Sequence, residues 1–323
     1  MRGIILLNVG TPSECSKSAV EKFVGDMLSD PLVIDKFQPA SRFLARKIIA
    51  PLSASKSLEK YRLIWRKEEP AISPLLFHMQ QMGHKLEQQK DSPVEIAMRY
   101  GSPSIEDAFN ALLKKSNTLS EVIIFPLYPH YAQSSTQTSI DEVMKIYNNN
   151  SYSFKLKIIN PYYNHPAYIK ALATHVEKYV TTDIDKLLFS YHSLPVHQVE
   201  KAWRKGREYD YVYQLKETNQ LLLKELGLND RNKSLLFYSS QRGSGWLKPF
   251  LNKNIADLPA LGWRNVAVVS PGFPADNLET LYDVDIEARN LFMKAGGESF
   301  IFIPSLNAED YWIDALWRII TTS

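Results

Sequence analysis

The sequence has a single cysteine, Cys15, among 323 residues, so no disulfide framework can form within the chain. No Cys/His cluster has the spacing of a zinc or iron–sulfur site, and no apolar run approaches the roughly 18 residues that span a bilayer. The formal net charge of +3 is too small for a dedicated nucleic-acid-binding protein. These absences favour a reduced, globular protein of the cytoplasm.

Short apolar runs rich in β-branched and aromatic residues predict eight strands, at about 3–9, 94–99, 121–127, 154–159, 186–191, 234–239, 265–270 and 298–303. Amphipathic stretches of helical length separate most of them, at about 15–28, 71–89, 104–115, 136–148, 164–180, 208–226, 277–295 and 307–320. This alternation, with strands that are apolar throughout, predicts parallel sheets covered by helices on both faces. Four strands precede residue 160 and four follow it, which predicts two doubly wound domains of similar plan, 1–160 and 161–323.

A histidine lies where one predicted strand ends, and ligands of such folds bind outside the carboxyl ends of the strands. His192 directly follows the strand at 186–191. Its imidazole can exchange a proton near neutral pH, and in the neutral form it can bind a metal. A lone histidine at such a place is more often satisfied by local backbone, so a functional role needs a second feature.

That second feature is a row of acids in the predicted helix at 277–295 and just before it. Asp276, Glu279, Asp283 and Glu287 are spaced by three, four and four residues, which places them along one helical face. Carboxylate oxygens suit a hydrated divalent cation, so the row is a candidate metal track. A solvated face of a surface helix is the plainer alternative, and the spacing alone leaves both open.

Two further segments have the chemistry to meet a flat anionic ligand. Trp246 lies in a glycine-rich loop after a strand, where it can stack on a ligand or plug the base of the loop. Residues 31–67 contain nine Lys/Arg and two acids (9 − 2 = +7), interleaved with apolar residues. That segment fits a basic lip for an anionic apolar ligand or a lipid surface, or an ordinary packed helix with a solvated basic face.

Motifs in the same order over nearly the whole chain resemble the ferrochelatase family. They are Leu6–Pro12, Met98–Gly101, Pro126–Tyr131 with Ser134–Thr136, Tyr191–Pro195, Pro271–Leu281, Ala295–Glu298 and Pro304–Asn307. The motifs around His192 and Glu279 resemble the catalytic histidine and catalytic glutamate motifs of that family. Their joint presence at about the family spacing is the most specific part of the resemblance.

The resemblance implies an enzyme that inserts ferrous iron into a porphyrin to form haem, in a cleft between two Rossmann-like domains. It implies that His192 and Glu279 face the porphyrin centre as catalytic groups, and that His192, Glu279, Asp283 and Glu287 handle the metal. The residues that match porphyrin-binding positions are Val9, Arg99, Tyr100, Tyr128, Ser134 and Trp246. The segment 31–56 matches a mobile lip, and the last helix, near 308–320, is expected to pack back on the first domain.

The expected substrates are ferrous iron and a porphyrin, with protoporphyrin IX favoured over coproporphyrin by the residues Asn8–Pro12. We expect no tightly bound cofactor, no iron–sulfur cluster and no nucleic-acid partner. A cytoplasmic monomer or homodimer is expected, with loose contact with the inner face of the membrane as an option. The alternatives are a chelatase for another metal or tetrapyrrole and a tetrapyrrole carrier without catalysis.

Two departures from the family pattern stand near the candidate catalytic residues. A charged insertion, Lys201–Arg207, followed by Tyr209–Tyr211, replaces the family's Gly-Asp-Pro-Tyr turn after the histidine. Asn277 stands where many members have a histidine, so the resemblance supplies no second imidazole ligand.

Overall fold

The computed structural model describes residues 1–34, 48–116, 118–228, 233–239 and 245–323. The chain divides into two compact units. The first comprises Met1–Pro161 and Ile320–Ser323, and the second comprises Tyr162–Ile319. Each contains one four-stranded sheet. No helix among these residues is long and apolar enough to cross a membrane.

The strands are β1 (Arg2–Gly10), β2 (Val94–Tyr100), β3 (Glu121–Pro126), β4 (Lys155–Ile158), β5 (Lys186–His192), β6 (Ser234–Ser239), β7 (Asn265–Val269) and β8 (Ser299–Phe302). Their order is β2-β1-β3-β4 in the first unit and β6-β5-β7-β8 in the second, and every pair is parallel. The two sheets therefore share one topological plan. The predicted fold class is confirmed, and each predicted strand limit lies within one residue of the observed one.

The helices flank these sheets. They are α1 (Lys17–Leu28), α2 (Ala50–Ile64), α3 (Pro74–Lys90), α4 (Ile105–Lys115), α5 (Thr138–Asn149), α6 (Pro166–Tyr179), α7 (Val196–Trp203), α8 (Tyr211–Glu225), α9 (Leu251–Asn254), α10 (Arg289–Lys294) and α11 (Asp310–Thr322). The stretches Gln133–Gln137 before α5 and Glu279–Ala288 before α10 are π-helical. The last residues of α11, from Ile320, belong to the first unit. Packing of the whole helix on that unit stays a prediction.

Each sheet is buried because its central strands are apolar on both faces. Ile4, Ile5, Leu6 and Leu7 of β1 are almost fully buried, and so are Leu187, Leu188 and Phe189 of β5. Around β1 the core includes Phe109 of α4, and around β5 it includes Phe292 of α10. Burying such side chains contributes about 1.5–3 kcal/mol each to the stability of the fold. The carboxyl ends of these strands are therefore held in place by a well-packed core.

Three helical regions differ from the expectation. The helix α7 lies where no helix was predicted, and α2 lies in the basic segment, where a helix was only one of two alternatives. Pro51 occupies the first turn of α2, where its missing N–H costs nothing. In α7 the charges face solvent while Gln198, Val199 and Ala202 are buried. The predicted α-helix over 277–295 was wrong in type, since its first part is the π-helical stretch Glu279–Ala288.

Candidate active site

His192 is the last residue of β5, and it is supported by a tyrosine from the segment that departs from the family pattern. The Tyr211 hydroxyl donates to the His192 carbonyl oxygen at 2.9 Å. Tyr211 begins α8, whose N-terminus is capped by Asp210. Burial raises the pKa of Tyr211 well above its ordinary value, so the phenol keeps its proton and remains a donor. The insertion thus leads into a buried support for His192.

Glu279 opens the π-helical stretch, and its backbone is held by Asn277. The Asn277 side-chain oxygen accepts a hydrogen bond from the Glu279 backbone N–H at 2.8 Å. Thr280 Oγ1 accepts from the Asn277 backbone N–H at 3.0 Å, which closes the turn from the other side. Where a histidine stands in many family members, this chain therefore has a turn-forming amide.

Asp276 does not belong to the acidic row, which corrects the interpretation of four acids along one face. It is 3% exposed, and its carboxylate accepts hydrogen bonds from three groups. They are Thr280 Oγ1, the Ser305 backbone N–H and Asn307 Nδ2, at 2.8, 3.0 and 2.8 Å. Asp276 is therefore a buried residue whose hydrogen bonds link the start of this helix to the segment after β8.

His192 and Glu279 form a hydrogen-bonded pair. His192 Nδ1 lies 2.8 Å from Glu279 Oε1 and 2.9 Å from Oε2. The side chains are 33% and 21% exposed, so the pair is neither sealed in the core nor fully solvated. Within the described ranges, Nε2 of His192 has no hydrogen-bond partner. The pair therefore has one imidazole nitrogen fixed by a carboxylate and the other available to a ligand.

A serine that the sequence did not single out completes this cluster. Ser239, the last residue of β6, donates its hydroxyl to Glu279 Oε2 at 2.9 Å. It is directly in register with His192 on the neighbouring strand. A polar residue at the end of a predicted strand was the available signal, but serine is too common at such ends to be chosen without the pairing.

The outer acids continue along the π-helical stretch. Hydrogen bonds run from i to i+5 here, and Glu279, Asp283 and Glu287 lie four residues apart. Asp283 is 7% exposed, and Glu287 is half-buried and accepts a hydrogen bond from Asn252 Nδ2. In the described part of the chain, no three His, Cys, Asp or Glu side chains converge as metal ligands. The row is a succession of carboxylates and not a closed coordination site.

Trp246 lies beside the pair. Its ring meets the His192 ring edge to face, with centroids 6.4 Å apart and planes at 83°. Backbone hydrogen bonds of 2.9–3.0 Å join Gly245–Leu247 to Leu194–Val196 and fix the tryptophan next to the histidine loop. The preceding residues, 240–244, lie outside the described residues.

Comparison with known proteins decides the family. The ferrochelatase family profile matches residues 1–323. The chain is 33% identical to the ferrochelatase of Alcanivorax borkumensis, over 98% of this chain and 92% of that one. It is 34% identical to the ferrochelatase of Francisella tularensis subsp. tularensis, over 99% and 95%. The chain belongs to the ferrochelatase family.

Solved structures show the same fold at low sequence identity. One is the sirohydrochlorin chelatase SirB of Bacillus subtilis subspecies spizizenii in complex with cobalt, with a TM-score of 0.57 and 10% identity. Another is SirB of Bacillus subtilis with Fe3+, with a TM-score of 0.55 and 10% identity. Each match covers 99% of this chain and 94% of the other. The reaction of the ferrochelatase family, insertion of iron into a porphyrin in haem synthesis, is therefore carried by a chelatase fold.

In the first unit, two of the expected porphyrin-binding residues belong to a buried network around Asp30. Arg99 Nη2 lies 2.8 Å from Asp30 Oδ2, and the Tyr100 hydroxyl donates to the same oxygen at 2.7 Å. The Thr138 hydroxyl also donates to Oδ2, and the Leu32 N–H donates to Oδ1. Burial alone would raise the pKa of Asp30, but these hydrogen bonds and the Arg99 charge outweigh it and lower that pKa.

The ferrochelatase resemblance predicts that Arg99 contacts porphyrin, whereas this network shows that Arg99 has several partners within the protein. The Arg99 side chain is 18% exposed, and its Nε also donates to the hydroxyl and carbonyl of Thr138. Its charge is thus largely satisfied within the protein, although contact with porphyrin stays a prediction. Asp30 itself had no signal in the sequence, because its partners are far away along the chain.

The other expected porphyrin-binding residues of the first unit are more dispersed. The Tyr128 hydroxyl is 3.0 Å from Ser139 Oγ and is buried. Val9 is half-buried near the end of β1, and Ser134 is half-buried in the π-helical stretch before α5. Their role toward porphyrin stays a prediction.

The expected lip, 31–56, falls only partly within the described residues. Residues 31–34 follow Asp30 directly, and Gln133 Nε2 donates to the Leu32 carbonyl at 3.2 Å. In α2, Ala54 is buried while Leu52 is 71% exposed. The basic residues Arg42, Arg46 and Lys47 lie outside the described residues.

Proposed function

We propose that the porphyrin substrate is protoporphyrin IX and that iron insertion takes place at the His192–Glu279 pair. The observation that carries this proposal is the 2.8 Å contact between His192 Nδ1 and Glu279 Oε1 at the carboxyl end of a parallel sheet. An imidazole and a carboxylate so arranged can move protons at one atom while a metal is handled at another.

The reaction sets the roles. A free-base porphyrin must lose two pyrrole protons as it gains Fe2+, with no change in the oxidation state of the iron. In the proposal, Nε2 of neutral His192 takes pyrrole protons, and Glu279 orients the ring through Nδ1 and stabilises the imidazolium that forms. Glu279 accepts protons in turn and, with Asp283 and Glu287, conducts them and incoming ferrous iron along the acidic row.

Substrate contacts complete the proposal. Trp246 lies beside His192, where an aromatic ring can stack on a flat ligand, and Val9, Arg99, Tyr100, Tyr128 and Ser134 are the first-unit residues that match porphyrin-binding positions of the family. Iron is a substrate, and the chemistry requires no tightly bound cofactor and no iron–sulfur cluster. The cleft predicted between the domains and the state as monomer or homodimer stay predictions.

A cytoplasmic location with loose contact with the inner face of the membrane is also part of the proposal. Leu52 and Leu63 of α2 are 71% and 64% exposed, and the exposed Lys56 and Arg62 lie on the same helix. Apolar side chains beside positive charges suit an anionic bilayer, where each charge contributes about 1 kcal/mol. The same combination suits a porphyrin with propionates.

The test compares substrates under anaerobic conditions. The purified protein is supplied with ferrous iron and either protoporphyrin IX or coproporphyrin III, and metal insertion is followed by absorbance. We expect a higher kcat/KM with protoporphyrin IX, and the His192→Ala variant serves as the inactive control. A preference for coproporphyrin III would overturn the substrate proposal. Equal rates for wild type and variant would overturn the assigned site, and parallel reactions with cobalt and nickel measure metal selectivity.

A further inference from the structure

The Ser239 hydroxyl is built into the same sheet end as the catalytic histidine. Ser239 and His192 are in register at the ends of β6 and β5. Residues in register on neighbouring strands point to the same face of a sheet, so the hydroxyl and the imidazole lie side by side. Ser239 is 5% exposed, so its hydroxyl depends on acceptors within the protein.

Among the described residues, which do not include 240–244, two acceptors lie within reach of this one donor. Ser239 Oγ is 2.9 Å from Glu279 Oε2 and 3.2 Å from the Tyr191 carbonyl oxygen. A hydroxyl has a single hydrogen, so a full hydrogen bond goes to one acceptor at a time. The shorter contact is to the carboxylate, and hydrogen bonds to charged groups are the stronger kind.

We propose that Ser239 is a positioning residue for Glu279. In the observed arrangement its hydroxyl holds Glu279 Oε2, the same oxygen that lies 2.9 Å from His192 Nδ1. When the carboxylate leaves to accept a proton or meet iron, the hydroxyl turns to the Tyr191 carbonyl. The buried donor is then never left unsatisfied, which lowers the free-energy cost of moving Glu279. This inference rests on the proposed function of the pair.

The direct test is Ser239→Ala, which removes the hydroxyl and little volume. We expect kcat for iron insertion to fall about threefold to tenfold, with the porphyrin KM within about twofold of wild type. Ser239→Thr keeps the hydroxyl and should recover most of kcat. The matched control is Ser190→Ala on β5, since Ser190 is fully buried and its hydroxyl has no hydrogen-bond partner among the described residues. An equal fall of kcat in both alanine variants would overturn the proposal.

A second measurement needs no substrate. A double-mutant cycle with Ser239→Ala and Glu279→Ala is measured by chemical unfolding of the full chain. If the hydroxyl acts through the carboxylate, Ser239→Ala should shift the unfolding equilibrium constant several-fold more in wild type than in the Glu279→Ala background. An additive cycle overturns the positioning role. A coupled cycle in a protein that inserts no iron would sustain the positioning role and overturn the proposed function, so the two failures are distinguishable.

Discussion

The two sheets share one topological plan but end differently. The ends of β1 and β2 pair Gly10 with Tyr100, and the ends of β5 and β6 pair His192 with Ser239. A side chain at Gly10 would place Cβ 1.8 Å from the Tyr100 carbonyl oxygen, and φ there is +118°, so only glycine fits. At the end of the first sheet, the backbones of Gly10 and Tyr100 are therefore in close contact and leave no room for a side chain. At the same place in the second sheet, the strand ends in the imidazole of His192.

The polar groups near the two sheet ends also differ, in how deeply they are buried and in how completely they are paired. In the first unit, Arg99, Tyr100 and Thr138 all direct their donors at the carboxylate of Asp30, which is 6% exposed. In the second, the Glu279 side chain is 21% exposed, and the side chain of its partner His192 is 33% exposed. Removing one partner of a buried ion pair destabilises a fold because the other charge is left unpaired, whereas a partly exposed pair can still exchange protons and ligands. The same sheet plan therefore has a buried, internally paired cluster in the first unit and, in the second, a partly exposed pair that we propose is the catalytic one.

The largest expected effect comes from removing the imidazole of the proposed catalytic pair. His192→Ala should lower kcat for iron insertion roughly a hundredfold or more, because a positioned base contributes that much. Porphyrin binding, measured by fluorescence quenching, should change little, since most of the proposed porphyrin contacts come from residues other than His192. If the variant turned over at nearly the wild-type rate, the base would have to be another residue. The proposed functional difference between the two sheet ends would then be wrong.

Asp30→Asn should instead act on stability. Removing the charge that pairs with Arg99 should lower the free energy of unfolding at pH 7 by about 2–4 kcal/mol, as measured by chemical denaturation. The folded-state pKa of Asp30 lies below its unfolded value. Its contribution is therefore present above the unfolded pKa and is lost as the pH falls through the lower folded value, so the gap between wild type and variant should narrow in acid.

The matched control for Asp30 is Asp26→Asn on α1. Asp26 forms an exposed pair with Lys22 at 3.1 Å, and such pairs contribute about 0–1 kcal/mol. A loss as small for Asp30→Asn as for the control, or a gap independent of pH, would contradict a structural role for the Asp30 network.

The smallest effects are expected from the outer acids. Asp283→Asn and Glu287→Gln should each raise the apparent KM for ferrous iron about threefold to tenfold, with kcat nearly unchanged at saturating iron. The control is Asp285→Asn in the same π-helical stretch, because Asp285 is paired with Arg289. If all three variants behave alike at limiting iron, Asp283 and Glu287 take no part in handling iron, and the proposed site ends at Glu279.

Much of this arrangement was predictable from local patterns. Runs such as Ile4–Leu7 and Leu187–Phe189 are apolar at every position, which is typical of a strand buried on both faces. A residue just after such a strand lies at the ligand-binding edge, so the position of His192 made it a candidate, and the acidic row and the motif resemblance supplied the second feature. Glu279 followed from the motif resemblance and the helical spacing behind it.

The hydrogen-bond partners were not predictable, because they depend on residues far apart in sequence. Asp30 and Arg99 are 69 positions apart, and Ser239 and Glu279 are 40 apart. The spacing of the acids along the chain was as compatible with Asp276 in the row as with Glu287. Only the hydrogen bonds from the segment after β8 show that Asp276 is buried and links that segment to the start of the helix. The π-helical type of Glu279–Ala288 likewise has no signature in the hydrophobic period.

The division between sequence and tertiary structure has one physical cause. Strand and helix positions follow from burial patterns within a few residues, so the sequence alone determined two parallel sheets and the placement of His192 at the end of one. A charged side chain can be paired within the folded protein, or it can remain accessible to a substrate. Which of the two applies depends on the partners that the folded chain brings near it. Only the tertiary structure decided that Arg99 is held by Asp30, while Glu279 is shared between His192 and Ser239.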